Sequence, residues 1–268
     1  MVNLAGGLDR AGCVLRYADT GGSGDAIVLT HGAGADHHMF DAQFEALAAS
    51  GQRVVVWDMR AHGESIPNNV PFTTELALSD LSALVQHLDL SHPVLAGHSL
   101  GGNLSQVLVR SQPSRFGGLV VMDSTWNTGP LTWTERFLLK LAAPALSIIP
   151  ARSLPALMAR ASAVTPQARS DAMRAFPQMT KNQFIEVWKA TVLFVDPHPR
   201  YRTPIPLCLI RGSHDKTGNI ATAMPRWADT ERVIEHVVPG AGHLVTQDAP
   251  DAVTAMMQSF LATIANAA

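Results

Sequence analysis

The sequence predicts an α/β fold: a mostly parallel, doubly wound sheet with helices on both faces and a helical insertion late in its strand order. Three observations carry this. Short apolar runs recur along the chain, amphipathic segments with apolar residues at three- and four-residue spacing separate them, and between about 124 and 201 only helix signals remain. Parallel strands need crossover connections, and strands covered on both faces read as continuous apolar runs.

In chain order, segments 4–7 and 13–20 flank "LDRAG" as a hairpin, and "GGSGD" turns the chain into the strand "AIVLT" at 26–30. Further strands are expected at 53–58, 93–97, 118–123, 206–212 and 232–238, with helices over 41–50, 73–90 and 103–116 between the earlier ones. Within the insertion, Pro166 suits a first helical turn and "TKNQ" at 180–183 reads as a capping box. That segment also carries Trp126, Trp133, Phe137, Met158, Met173, Phe176, Met179, Phe184, Trp188 and Phe194. Most should pack the insertion against the sheet, and a few, Trp126 and Trp133 among them, are expected to line an apolar pocket.

The 268 residues suit one large domain, with a core over 1–124 and 201–268 and the insertion over 125–200. A net charge of -2, with both signs scattered, offers no footprint for nucleic acid or an anionic membrane, so a small, nearly neutral partner is expected. Cys13 and Cys208 lie in apolar runs without metal-ligand spacing and read as buried free thiols. The N-terminus lacks the pattern of a signal peptide, and no run reaches the ~18 apolar residues of a membrane span. A cytoplasmic protein is expected, its oligomeric state left open.

The chemistry concentrates in "VLAGHSLGGNLSQVL", residues 94–108. A serine at the apex of a sharp strand-to-helix turn needs small neighbours, which Gly97 and Gly101 supply. Such a turn projects the Ser99 hydroxyl from the strand end, with the N–H of Leu100 opening a helix beside it. A serine hydroxyl needs a base and an acid that orients it. His243, in "PGAGHLVTQDAP", and Asp215, in "LIRGSHDKTG", follow consecutive strands and complete the order Ser, Asp, His. Asp123 ends another strand and is a rival acid, although Asp215 is preferred. In "LTHGAGAD", Gly32 and Gly34 let the Ala33 N–H point inward as a second oxyanion donor. As a dinucleotide fingerprint the stretch fails, because its third glycine would be His37.

These residues resemble the α/β-hydrolase superfamily, in particular its capped esterases and lipases, including monoglyceride-lipase-like enzymes that share "HGAG" and "GHS-x-GG". The resemblance implies Ser99 as nucleophile, His243 as base, Asp215 as orienting acid, Ala33 and Leu100 as oxyanion donors, and residues near 125–200 as a cap. It also covers "DMRAHGES" at 58–65, where Ala61 stands in place of the family's usual glycine; Asp58, Arg60 and His62 read there as a hydrogen-bonded turn. Asp36, His37 and His38 read as a helix start rather than a metal site, with Met39 and Phe40 turned toward the pocket. His31 and His98 are expected to hold the two turns by hydrogen bonds. No cofactor or metal is expected.

The expected activity is hydrolysis of a carboxylic ester of small to medium apolar character through an acyl-enzyme. Carbon–carbon hydrolysis, lactone opening and perhydrolysis could run on the same three residues, and a non-catalytic binding member would be expected to have lost one of them. An aspartate-nucleophile mechanism is disfavoured by Ser99 itself and by a chain with only Tyr17 and Tyr201 as tyrosines.

Overall fold

The computed structural model describes residues 1–22 and 24–266. Ser23, within the expected "GGSGD" turn, Ala267 and Ala268 lie outside the described residues, as does the side chain of Lys140. The elements run β1 (Gly6–Arg10), β2 (Cys13–Asp19), β3 (Ala26–Thr30), α1 (Asp41–Ala49), β4 (Arg53–Trp57), α2 (Thr74–His87), β5 (Val94–His98), α3 (Leu100–Ser111) and β6 (Gly118–Met122). Four helices follow before the sheet resumes: α4 (Trp133–Ile148), α5 (Leu154–Ser162), α6 (Pro166–Ala175) and α7 (Lys181–Leu193). The chain closes with β7 (Leu207–Gly212), α8 (Ile220–Glu231), β8 (Glu235–Val238), α9 (Val245–Asp248) and α10 (Pro250–Ala265).

The eight strands form one sheet in the order β1-β2-β4-β3-β5-β6-β7-β8. β2 pairs antiparallel with β1 and β4, and every pairing from β4 to β8 is parallel. The central strands are buried throughout, and alternate residues feed opposite cores. Val28, Val55, Leu95 and Val121 pack with Leu84 of α2, Leu104 of α3 and Met224 of α8. Ile27, Leu29, Val56 and Val120 pack with Leu47 of α1 and Met257 of α10. Each such buried aliphatic side chain contributes about 1.5–3 kcal/mol, so both helical layers are bound by the sheet's own composition.

Several boundaries differ from expectation, among them the helix expected over 103–116, which spans Leu100–Ser111. "LDR" belongs to β1, and the hairpin turns at Ala11 and Gly12, where Gly12 takes the positive φ of 82° that the tight turn requires. The segment 232–238 is a strand only from Glu235, because Arg232 closes α8 in the left-handed conformation (φ 58°) and the chain needs the next residues to turn. Thr132 and Thr180 open α4 and α7 as capping boxes, and Pro166 occupies the first turn of α6 behind Thr165.

Candidate active site

Ser99 leaves β5 for α3 at φ 50° and ψ -114°, a conformation that L-residues rarely adopt. Its N–H donates to the Met122 carbonyl at 2.9 Å, and its own carbonyl accepts from Ser124 Oγ at 2.8 Å. The strained residue is therefore held at both backbone groups, by the last residue of β6 and by the loop that follows it. The turn also needs its glycines: a Cβ on Gly97 would overlap the Gly101 carbonyl, and one on Gly101 would overlap the Thr30 carbonyl.

The hydroxyl so projected lies 3.2 Å from His243 Nε2, and His243 Nδ1 lies 3.0 Å from Asp215 Oδ2. An ionised carboxylate only accepts, so Nδ1 carries the proton and Nε2 is left as acceptor toward the serine. Asp215 Oδ1 accepts from the Thr217 N–H at 2.7 Å. Burial pushes the Asp215 pKa up, but the His243 imidazole and the hydrogen bonds from His243 and Thr217 outweigh it and bring it down to about 2.

Asp123 sits at the end of β6, fully buried, its Oδ1 accepting from the Gly212 N–H at 2.9 Å. Its carboxylate, that of Asp215 and a ring nitrogen of His243 lie within 4.8 Å of one another. Burial, followed by the Asp215 charge, raises the Asp123 pKa well above the usual carboxylate range. Two adjacent buried carboxyls share one negative charge more readily than they carry two. A proton held on Asp123 beside an ionised Asp215 would turn the otherwise unpartnered Asp123 Oδ2 into a donor, with the Asp215 carboxylate accepting. Three such groups could ligate a cation, yet protons alone satisfy this arrangement.

Buried histidines hold the surrounding turns. His31 Nδ1 donates to the Gly32 carbonyl at 2.8 Å, while its Nε2 accepts from the Met59 N–H at 3.0 Å. His98 Nε2 donates to the His243 carbonyl at 2.7 Å, and burial, then the neighbouring His243, lowers its pKa to about 3. Both act as neutral spacers. The 58–65 stretch is a hydrogen-bonded turn: Asp58 accepts from the His37 and Glu64 N–H groups at 2.7 Å each, and Arg60 forms a buried pair with Asp80 at 2.6 Å. Ala61 takes φ 64°, which accounts for glycine being usual there. His37 and His38 are engaged by Asp58 and Asp41, and Asp36 by Arg174 and Gln178, so the three do not converge on one point.

Ser99 and His243 open into a cavity of about 230 Å³ that Ala33, Met158, Phe176, Trp188 and Lys216 help to line. A lobe of about 60 Å³ shares Ala33, Ser99 and Trp188 and adds Asn103, Leu139 and Val192. The Ala33 N–H donates to no protein group among the described residues. Leu100 begins α3, whose first N–H groups have no intrahelical acceptor and whose positive dipole end faces the serine. A larger hollow of about 420 Å³, bordered by Val107, Arg110, Tyr201 and Trp227, contains none of these groups.

The four residues expected to touch substrate are placed elsewhere. Met39 and Phe40 lie in the core with Leu47 and Val245, because the turn that Asp36 caps directs them at the sheet. Trp126 stacks on Trp227 of α8 with ring centroids 6.1 Å apart. Trp133 is 76% exposed at the start of α4, stacked on Phe137. Met158, Phe176 and Trp188 take the lining positions instead. Helical periodicity had marked them as apolar without saying which face met the site.

The chain is 34% identical over 128 residues to the zebrafish (Danio rerio) sn-1-specific diacylglycerol lipase ABHD11, covering 43% of this chain and 40% of that one. It spans less than half the length of the curated relatives it matches. Its fold superposes with a TM-score of 0.81 on a structure from a study of Nitrososphaera gargenis carboxylesterases, at 17% identity over 98% of this chain and 100% of that one. The enol-lactonase of Burkholderia xenovorans LB400 superposes with a TM-score of 0.78, at 22% identity over 96% and 100%. Residues 27–256 match the family model described as the alpha/beta hydrolase family, and the chain belongs to that family.

Proposed function

We propose that the chain is a serine hydrolase that cleaves carboxylic esters of small to medium apolar substrates, with the helices of 125–200 as its cap. The observation that carries this reading is the hydrogen-bonded series Asp215 Oδ2, His243, Ser99 Oγ, at 3.0 and 3.2 Å, opening on a partly apolar cavity. Ser99 Oγ attacks the ester carbonyl as His243 Nε2 takes its proton. The oxyanion forms against the N–H groups of Ala33 and Leu100. His243 then returns the proton to the departing alcohol, and water repeats the sequence to release the acid. Asp215, ionised at any pH well above 2, keeps the imidazole in the required tautomer and stabilises its charged form. The two lobes meeting at Ser99 offer room for the two sides of an ester, and Trp188 lines both.

A chain-length series of p-nitrophenyl esters, run beside a serine-directed phosphonate with mass mapping, tests the reading. Turnover peaking at short to medium acyl groups, with the label on Ser99, is expected. Label on Ser99 without ester turnover would overturn the ester assignment and redirect the same three residues to lactone, peracid or carbon–carbon chemistry.

A further inference from the structure

The insertion also bears a surface that the proposed chemistry does not use. On α4, Trp133, Phe137, Leu141, Pro144 and Ile148 recur at spacings of four, four, three and four residues, which makes one stripe along the helix. All five are exposed, Ile148 to 83%, and Leu138 beside them is exposed as well. The opposite face is also apolar: Ala143 is buried, Leu146 packs on the core, and Leu139 lines the smaller lobe beside Ser99. A helix apolar on both faces is ordinarily covered on both. Contiguous exposed apolar surface of this extent marks a place of interaction.

Charge selects the occupant. Residues 125–200 hold nine Lys and Arg against four Asp and Glu, net +5, and the remaining residues hold eleven against eighteen, net -7. The total of -2, which suggested no footprint for an anionic membrane, conceals this segregation. Arg136 on α4 and Arg152 just beyond it are exposed, and Lys181 Nζ reaches the end of the helix, donating to the Ser147 and Ile149 carbonyls at 2.6 Å each. The nearby acid Glu135 is taken up by Thr132 and Asn219. A two-fold pairing of this face with a second copy would set like charge against like. Nucleic acid would meet the charge but not the apolar row. A lipid surface of negative charge meets both, since Trp, Phe and Leu enter the headgroup boundary while basic side chains meet the lipid anions.

We propose that α4 docks the protein peripherally on an anionic lipid surface, with Trp133, Phe137, Leu141 and Ile148 entering the interface. None of the described helices is long and apolar enough to span a membrane, and docking of this kind needs none. The proposal stands apart from the chemistry assigned to Ser99, and its test reads binding.

The full chain is mixed with phosphatidylcholine vesicles, with or without phosphatidylglycerol, and floated on a density gradient. Recovery with the anionic vesicles at least about tenfold above the neutral ones, reversed by high salt, is expected. The double variant Phe137→Ser, Leu141→Ser should lose about tenfold in recovery while keeping its unfolding midpoint and phosphonate labelling. Should that variant fail to fold, Arg136→Glu with Arg152→Glu tests the charge on an intact stripe and should lower anionic recovery alone. No flotation, or equal flotation with neutral vesicles, overturns the proposal. So does a concentration-dependent dimer in sedimentation that the same substitutions abolish, which would assign the face to a second copy.

Discussion

The sheet edge and the helical insertion both face Ser99, and they are built on different principles. At the sheet edge the groups that set the serine's geometry are held by directed bonds: the Ser99 backbone by Met122 and Ser124, His243 by Asp215 and His98, and Asp215 by Thr217. The insertion meets the same cavity with Met158, Phe176 and Trp188, which contribute shape rather than directed bonds. The core sets the reaction geometry and the insertion sets what fits. Substitutions in the two regions should therefore differ in kind as well as in size.

The largest effect belongs to the core. Ser99→Ala should lower kcat by about 10⁴-fold or more with little change in unfolding midpoint, because it removes the attacking atom and no packing. Asp215→Asn should cost about 10³–10⁴-fold, since an amide favours the wrong imidazole tautomer. The neighbouring acid sharpens this contrast. If Asp123 holds its proton, Asp123→Asn preserves an acceptor toward Gly212 and a donor toward Asp215, so kcat should stay within about threefold of wild type. A loss of about 10³-fold in Asp123→Asn would make Asp123 the orienting acid.

A pH comparison probes the same carboxyl through stability. The folded chain holds the Asp123 proton to higher pH than the unfolded chain does, so its contribution is full below the usual carboxylate range and is lost as pH rises through the raised value. Urea unfolding at about pH 4 and about pH 8 should show wild type losing stability against Asp123→Asn as pH rises. A constant difference between the two proteins would refute the retained proton.

The smallest effect belongs to the insertion. Trp188→Ala removes the large side chain that lines both lobes, and should move the preferred ester length upward while changing kcat/KM for a short ester by about tenfold or less. Equal losses across all chain lengths would place Trp188 with the reaction geometry and erase the distinction between the regions.

How much of this the sequence carried follows the same division. The strand 26–30, the Gly97–Gly101 turn and the capping boxes at 132 and 180 depend on local backbone chemistry and are readable from residue type and spacing, although of the two boxes only the one at 180 was expected. The convergence of Ser99, Asp215 and His243 was also readable, because a parallel sheet brings the ends of successive strands to one edge. The identity of the lining residues was not. Trp133 and Trp188 are alike in the sequence, and only the packing of α4 on α7 turns one to solvent and the other to the cavity. The raised pKa of Asp123 was equally hidden, since it depends on its burial and on how closely the ends of β6 and β7 approach.

The central claim is that Ser99 forms a covalent acyl-enzyme with His243 as its base. Intact-mass analysis after rapid acid quench of a p-nitrophenyl ester reaction, followed by peptide mapping, tests it directly. The account predicts a single added acyl group on the peptide containing Ser99, absent from Ser99→Ala and formed far more slowly in His243→Ala. Turnover at the wild-type rate by Ser99→Ala, or an acyl group on another residue, would contradict it.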